Sequence, residues 1–405
     1  MTARRLTATL LALALASAAS AAAAVRSVGD YDHDAAAPLD HLARGHVGAF
    51  LSDQPLMGLV SLLLRAPAVA LAQFSGGDLL AQYRAGAFVC VLAAAAFGVV
   101  LARRAVGRGN ATAVQAAVIV LLVAVGPATW DALFFGHPEE PLGAALCAAA
   151  IVAALDARPL LAGALIGLAV ATKQWAIIAA APVFLAAPPA ARVRLTATAI
   201  GVAAALTLPP MLASLGDYLA MQKGAAGAGG HVSPENLWWP LAPTRHRDVF
   251  DGVTNVVVAD RYLPGALIRV PHPLLVLAGF GIAALAWWRA RARAAVDPLA
   301  LLALVFLVRC LLDPLSNVYY HAPFVLALLA WETARRRGLP ALTLLSSAAL
   351  WATWNTVAPL HEAALTNAAY LLWALPMTAL LAVRALGLER RARRAPAIPA
   401  LSPQP

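Results

Sequence analysis

Asp30, Asp32, Asp34 and Asp40 fall within eleven residues, directly after an apolar stretch, in the run Gly29-Asp-Tyr-Asp-His-Asp34 that leads on to Pro38-Leu-Asp-His41. Carboxylates are costly in so apolar a chain, and a cluster at the exit of a membrane-crossing segment points to proton transfer or ion binding at the membrane surface. Neighbouring carboxylates repel one another, which raises at least one pKa or recruits a cation. Asp34 precedes Ala35-Ala-Ala-Pro-Leu39 at the start of a surface helix, where its backbone is best ordered. Asp30 and Asp32 form Asp-Tyr-Asp, a spacing able to hold a divalent cation through oxygen ligands.

Three further groups carry reactive side chains. The run Trp130-Asp131-Ala-Leu-Phe-Phe-Gly-His137-Pro-Glu139-Glu140 puts a histidine and three carboxylates in a tight turn. Lys173 stands between two short apolar segments, and Arg309 lies one turn before Asp313-Pro-Leu-Ser-Asn317-Val-Tyr-Tyr-His321. Cations near the end of a span need a counter-charge or an anionic ligand. Salt bridges of Lys173 with Glu139 or Glu140, and of Arg309 with Asp313, account for them as well as a ligand does. Trp238 and Trp239, after glycine-rich Gly224–Gly230, suit either the headgroup belt or the face of a sugar ring.

The elements that must hold these residues are membrane helices. The chain has 405 residues, 61% hydrophobic and only 12% charged, with a mean hydropathy of +0.75. Apolar segments recur at Leu6–Ala24, Leu79–Leu101, Ala111–Pro127, Pro141–Leu155, Leu160–Thr172, Trp175–Ala187, Leu195–Leu215, Pro273–Trp288, Leu299–Leu312, Ala322–Ala334, Leu339–Val357 and Ala368–Val383. They predict an all-α polytopic protein with about twelve crossings, several of them short for a core of about 30 Å.

Charge gives the orientation. Arg4-Arg5, Arg103-Arg104, Arg158, Arg192, Arg289, Arg335-Arg336-Arg337 and the tail from Arg384 gather on one side, the cytoplasmic one by the positive-inside rule. This arrangement requires a helix break near Thr172-Lys173-Gln174 and places both termini in the cytoplasm. The net charge of +10 is then a signal of topology and not a footprint for nucleic acid. Residues 1–24 also fit a cleavable signal peptide, but an uncleaved anchor gives the acidic cluster a fixed membrane position. The three cysteines, Cys90, Cys147 and Cys310, lie in apolar segments and read as small core residues.

Two non-spanning segments are too long to be connectors, 25–78 and 216–272. In the first, Leu39–Phe50 and Leu56–Phe74 read as interfacial helices roofing a cavity, with Gln54-Pro55 between them. The second reads as a gating loop. The residues from 386 to 405 form an Arg-, Ala- and Pro-rich tail that reads as disordered and touching anionic lipid.

The acidic loop after the first helix, the surface segments, Phe135-Gly-His-Pro-Glu-Glu140 and Arg158-Pro-Leu-Leu-Ala-Gly163-Ala-Leu-Ile-Gly167-Leu-Ala-Val-Ala-Thr-Lys173 together resemble the GT-C integral-membrane glycosyltransferases. More narrowly, the chain is similar to the bacterial family 87 type that uses polyprenyl-phosphate-mannose. The resemblance implies an inverting transfer of a sugar from a lipid-phosphate donor to a lipid or glycan acceptor on the outer face of the cell membrane. An acidic residue of the first outer loop would be the base, with Asp34 ranked before Asp32 and Asp30. Lys173, Arg309, and Arg65 or Arg84 would receive the donor phosphate, with His137 and His33 as hydrogen-bonding partners. Glu139, Glu140, Trp238, Trp239 and His321 would contact sugar or acceptor. No cofactor is implied, and a divalent cation at Asp30, Asp32 and Asp34 is the minority alternative.

No Walker motif, dinucleotide fingerprint or zinc-type Cys/His spacing is present, so ATP coupling or a nucleotide-sugar donor has no visible element in the sequence. Two rival readings remain: a secondary transporter or lipid flippase, which predicts charges at the bilayer midplane and an internal repeat, and a noncatalytic polyprenol-binding relative, in which Asp30, Asp32 and Asp34 would all tolerate Asn.

Overall fold

A computed structural model describes residues 2–53, 58–226, 230–250, 255–292 and 296–388. Helix α1 (Ala3–Ala24) starts where the Thr2 hydroxyl accepts the Arg5 N–H. Next come the single turn α2 (Tyr31–Asp34), then α3 (Ala36–Ala43), α4 (Val47–Ser52) and α5 (Leu59–Phe74). Gln54-Pro55 lies outside the described residues. Asp78 caps the long α6 (Leu79–Gly107) by accepting the Ala81 N–H at 2.8 Å. Thr112 and Gln115 form a capping box that starts α7 (Ala113–Val125). Gly126 then interrupts the path, and Pro127 opens α8 (Pro127–Phe134) at a position where its missing N–H has no consequence.

Helices α9 (Glu139–Leu155) and α10 (Pro159–Val170) form an antiparallel pair. Beyond α10 the expected break is present: Lys173 is extended, with φ −150° and ψ 135°, and a 3₁₀ turn, Gln174–Ala179, precedes α11 (Ala180–Ala186). Helix α12 (Arg192–Ala213) lies against α10. Gly163 and Gly167 allow that approach, since a Cβ on either would stand 2.4 Å from the Leu195 carbonyl oxygen or 2.7 Å from that of Ala199. Small residues four apart let two backbones come this close in a membrane.

After α13 (Leu215–Ala226) the segment 216–272 contains an antiparallel hairpin, β1 (Thr244–Phe250) and β2 (Asn255–Arg261), in the register Thr244↔Arg261 to Phe250↔Asn255. This hairpin departs from the all-α expectation. Residues 227–229 of the Gly224–Gly230 run lie outside the described residues, as do 389–405 of the tail. The chain closes with α14 (Pro271–Ala292), α15 (Pro298–Leu312), α16 (Ala322–Arg335), α17 (Ala341–Ala352) and α18 (Ala363–Ala385).

Each of the twelve apolar segments read from the sequence is helical. Among the described residues six helices are long and apolar enough to cross a membrane: Ala3–Ala24, Leu79–Gly107, Ala113–Phe134, Pro189–Ala213, Leu267–Arg291 and Ala363–Ala385. The other apolar helices fall short. Helix α15, for instance, has 15 residues, or about 22 Å against a core of about 30 Å. The protein is therefore a helical, multi-pass membrane protein, with six spans supported by helix length where about twelve were expected. Helices α15 and α16 are buried on nearly every side, as centrally placed membrane helices are, while α12 and α18 keep most of their apolar surface outward.

Candidate active site

Two loops interlock beneath the acidic cluster. The Asp30 N–H donates to the Phe135 carbonyl at 3.0 Å. The contact needs glycine on both sides: Gly29 has φ +56° and Gly136 φ +91°, and a Cβ would lie 2.4 Å from the Phe135 carbonyl carbon or 2.7 Å from the Asp30 nitrogen. With Asp30 at its N-cap, α2 makes one turn, and the Asp34 N–H returns to the Asp30 carbonyl at 2.9 Å. Residues four apart share a helix face, so Asp30 and Asp34 look the same way and Asp32 looks elsewhere.

That face opens onto a cavity of about 530 Å³. Its acidic residues are Asp30, Asp34, Glu140 and Asp313, and its cations are Lys173 and Arg309. Trp175, Ile177, Ile178, Leu275 and Val276 form an apolar wall, while Gln174, Tyr319, Tyr320, His137 and His272 complete the lining. Asp32 is not part of it: one carboxylate oxygen accepts the His33 N–H at 3.0 Å and the other lies 3.6 Å from the His33 ring.

A chain of charged groups runs back from the cavity into the protein. His137 Nε2 is 3.2 Å from Asp30, and His137 Nδ1 is 3.0 Å from Glu139. Glu139 is fully buried and also takes Lys173 Nζ at 3.0 Å, with Arg65 Nη1 at 3.8 Å. Lys173 further pairs with Glu140 at 3.5 Å. Both glutamates begin α9, where the helix N-terminus favours negative charge. Arg65 is completely buried on α5, its guanidinium 5.1 Å from the centre of the Tyr31 ring. It is an internal counter-ion and does not line the cavity.

Arg309 donates to the Tyr320 carbonyl at 3.2 Å and lies between the rings of Trp175 and Tyr320, 5.1 and 5.2 Å from their centres. Of the two salt bridges weighed from sequence, the Lys173 pair therefore forms, whereas Arg309 is held by a carbonyl and two aromatic faces. Asp131 accepts the Tyr319 N–H at 3.1 Å, fixing the tyrosine pair against α8.

Burial lifts the Asp34 carboxyl above its ordinary pKa, an effect moderated by the charges of His137 and Lys173. Burial works against the His137 cation, but its hydrogen bond to Glu139 and the charge of that carboxylate outweigh it, and the imidazole pKa is raised. Asp34 accepts no hydrogen bond from the described residues. It is an open carboxylate in a half-buried position beside two cations, an arrangement suited to taking a proton from a bound hydroxyl while an anion is held nearby. Among the described residues no group of three His, Cys, Asp or Glu side chains is arranged to hold a metal ion.

The other candidates read from the sequence lie apart from the cavity. The Trp238 indole N–H donates to the Leu312 carbonyl at 2.7 Å, and Trp239 carries the Arg261 guanidinium 3.9 Å above its ring. His321 is buried, with Nδ1 3.1 Å from the Asn317 carbonyl and Nε2 2.9 Å from the Tyr370 hydroxyl. Arg84 donates twice to the Val25 carbonyl, at 2.6 and 3.1 Å, closing the end of α1. Conversely, Trp175, Tyr319, Tyr320 and His272 line the cavity although the sequence does not single them out. The signal for Trp175 is its place beside Lys173 in the helix break; the others carry no local signal.

In comparison with known proteins, the chain matches the family described as glycosyltransferase family 87 over residues 63–314, more than half of its length. That stretch includes Arg65, His137, Glu139, Glu140, Lys173 and Arg309 but not Asp30–Asp34. No curated protein and no solved structure matches.

Proposed function

Because this chain belongs to glycosyltransferase family 87, a membrane glycosyltransferase family with a sugar donor and an acceptor, we propose that it moves a mannosyl group from a polyprenyl-phosphate donor to an envelope lipid or glycan, with Asp34 as general base. The acceptor hydroxyl attacks the anomeric carbon as its proton passes to the Asp34 carboxylate. The bond from that carbon to the phosphate oxygen breaks with its electron pair, and the configuration inverts. Arg309 and Lys173 hold the departing lipid phosphate, and the wall of Ile177, Ile178, Leu275 and Val276 receives the first part of the prenyl chain. The reaction takes place at the outer face of the cell membrane, in a protein with both termini cytoplasmic, about twelve crossings counting the short helices, and no resident cofactor.

The observation that carries this reading is the Asp34 carboxylate, lining the cavity with no hydrogen bond to the described residues while Asp30 is engaged by His137 and Asp32 faces away. The test is turnover of labelled polyprenyl-phosphate-mannose by the full chain in lipid nanodiscs, with extracted envelope lipids as acceptors. Asp34→Asn is expected to lower turnover by about 10²–10⁴-fold, the usual contribution of a positioned general base, while still binding donor; Asp32→Asn stays within about threefold of wild type. Equal activity of Asp34→Asn and wild type ends the assignment of the base. Donor binding without transfer by every form favours the noncatalytic relative.

A further inference from the structure

Glu139 lies behind the cavity wall, and its contacts run along one path to the acidic cluster. Its carboxylate is fully buried and does not line the cavity. One oxygen accepts both His137 Nδ1 and Lys173 Nζ, each at 3.0 Å, and the other faces Arg65 at 3.8 Å. His137, itself buried, carries the link from Glu139 to Asp30. Asp30 in turn is the N-cap of the single turn that presents Asp34, and its own N–H is fixed on Phe135. A four-residue helix has too few hydrogen bonds to hold a side chain in place by itself. Its orientation must come from the groups at its start.

We propose that Glu139 is a positioning residue for transfer, holding His137 as a doubly hydrogen-bonded bracket that fixes Asp30 and thereby aims Asp34 into the cavity. The inference rests on the reading of Asp34 as base. It removes Glu139 from the residues that touch sugar or acceptor, and it gives Arg65 and Lys173 the task of keeping a buried carboxylate ionised. With the Glu139 carboxylate at one ring nitrogen and the Asp30 side chain at the other, His137 acts as an imidazolium, donating from both nitrogens. Charged and titratable groups facing it are Asp30 and Asp34 from the α2 turn, Asp131 on α8, Glu139 and Glu140 on α9, Lys173 after α10, and Tyr319, whose ring centre is 4.8 Å away. Of these only Glu139 and Asp30 contact its ring nitrogens at hydrogen-bonding distance.

The experiment compares full-length wild type, Glu139→Gln, Asp30→Asn and Asp34→Asn in nanodiscs, measuring kcat and the donor KM together with the titration of His137 in ¹⁵N-histidine-labelled protein, assigned with His137→Asn. Glu139→Gln is expected to lower kcat at least tenfold with the donor KM within about twofold, and to move the His137 titration below the ordinary histidine range, because burial remains and its main counter-charge is gone. Asp30→Asn, which changes the exposed end of the bracket and leaves the buried cations paired, keeps the protein folded and is expected to lower kcat with the same unchanged KM. An unaltered kcat in Glu139→Gln, a loss expressed only in KM, or a wild-type His137 titration overturns the proposal. If Asp34→Asn retains full turnover while Glu139→Gln loses kcat and shifts His137, the bracket stands and the choice of Asp34 as base falls.

Discussion

Segments 25–78 and 216–272 are both long, polar and rich in glycine, yet their side chains have opposite fates. The first leaves a carboxylate open: Asp34 borders the cavity and accepts no hydrogen bond from the described residues, supported by interlocked glycines and a buried chain of charges. The second satisfies its polar groups internally. Asn236 donates to the Ser233 and Pro314 carbonyls at 2.6 and 2.7 Å and accepts from the Trp238 and Trp239 N–H groups. Asn367 donates to the carbonyls of Pro234 and Asn236, and the Leu237 N–H reaches the Leu311 carbonyl at 3.1 Å. Over 231–238 this segment is a strap stitched to the end of α15, and among its described residues His272, at its far end, lines the cavity. A polar residue type near a membrane surface thus says little about function; an unmet hydrogen-bonding capacity beside a cavity says more.

Breaking the cavity that the first region borders, at an α15 residue proposed to hold the leaving phosphate, should produce the largest change. Arg309→Gln keeps a donor for the Tyr320 carbonyl but removes the charge, and turnover should fall by about 10²–10³-fold while the unfolding midpoint changes little. Preserved turnover in a kinetic assay would move the phosphate site away from α15. Breaking the second region should do the reverse. Asn236→Ala strands two backbone N–H groups and the Ser233 carbonyl, the Pro314 carbonyl keeping the Ser233 N–H, and should destabilise the fold by about 2–4 kcal/mol with kcat within about threefold of wild type, as read by thermal unfolding in detergent alongside the transfer assay. If stability is unchanged and transfer is lost, the strap belongs to the active machinery after all.

The smallest effect sharpens the same contrast. Burial pushes the Glu235 carboxyl up to about 7. The folded state holds this proton more tightly than the unfolded chain does, so stability is fullest below the ordinary glutamate range and declines as the pH rises to about 7, then levels off. The unfolding midpoint should follow that slope, and Glu235→Gln should flatten it. An identical slope in the variant would assign the pH dependence to other groups.

The helices are legible because their signal is local. Each apolar run needs only its own residues to be recognised, and the positive-inside rule locates the break at Lys173, where α10 ends and the backbone turns extended. The salt bridge between Lys173 and the glutamates is legible for a related reason, since few counter-charges exist in so apolar a chain. Choosing among Asp30, Asp32 and Asp34 is harder. Their spacing implies that the outer two share a face once the segment is a helical turn, but nothing local shows which face meets a cavity. The hairpin is not legible, because Arg245, His246, Arg247 and Asp248 break any apolar alternation in its first strand, and its register is a property of two strands taken together.

The sequence by itself determined a helical membrane protein with an acidic loop after its first helix, because hydrophobic length and charge asymmetry are properties of consecutive residues. Only the tertiary structure decided that Arg65 and Glu139, far apart in the chain, are buried partners, that Trp238, Trp239 and His321 turn to structural contacts, and that Asp34 is the aspartate left open to the cavity. Desolvation and hydrogen bonding depend on every group that surrounds a side chain in space, and those groups come from segments far apart in the chain.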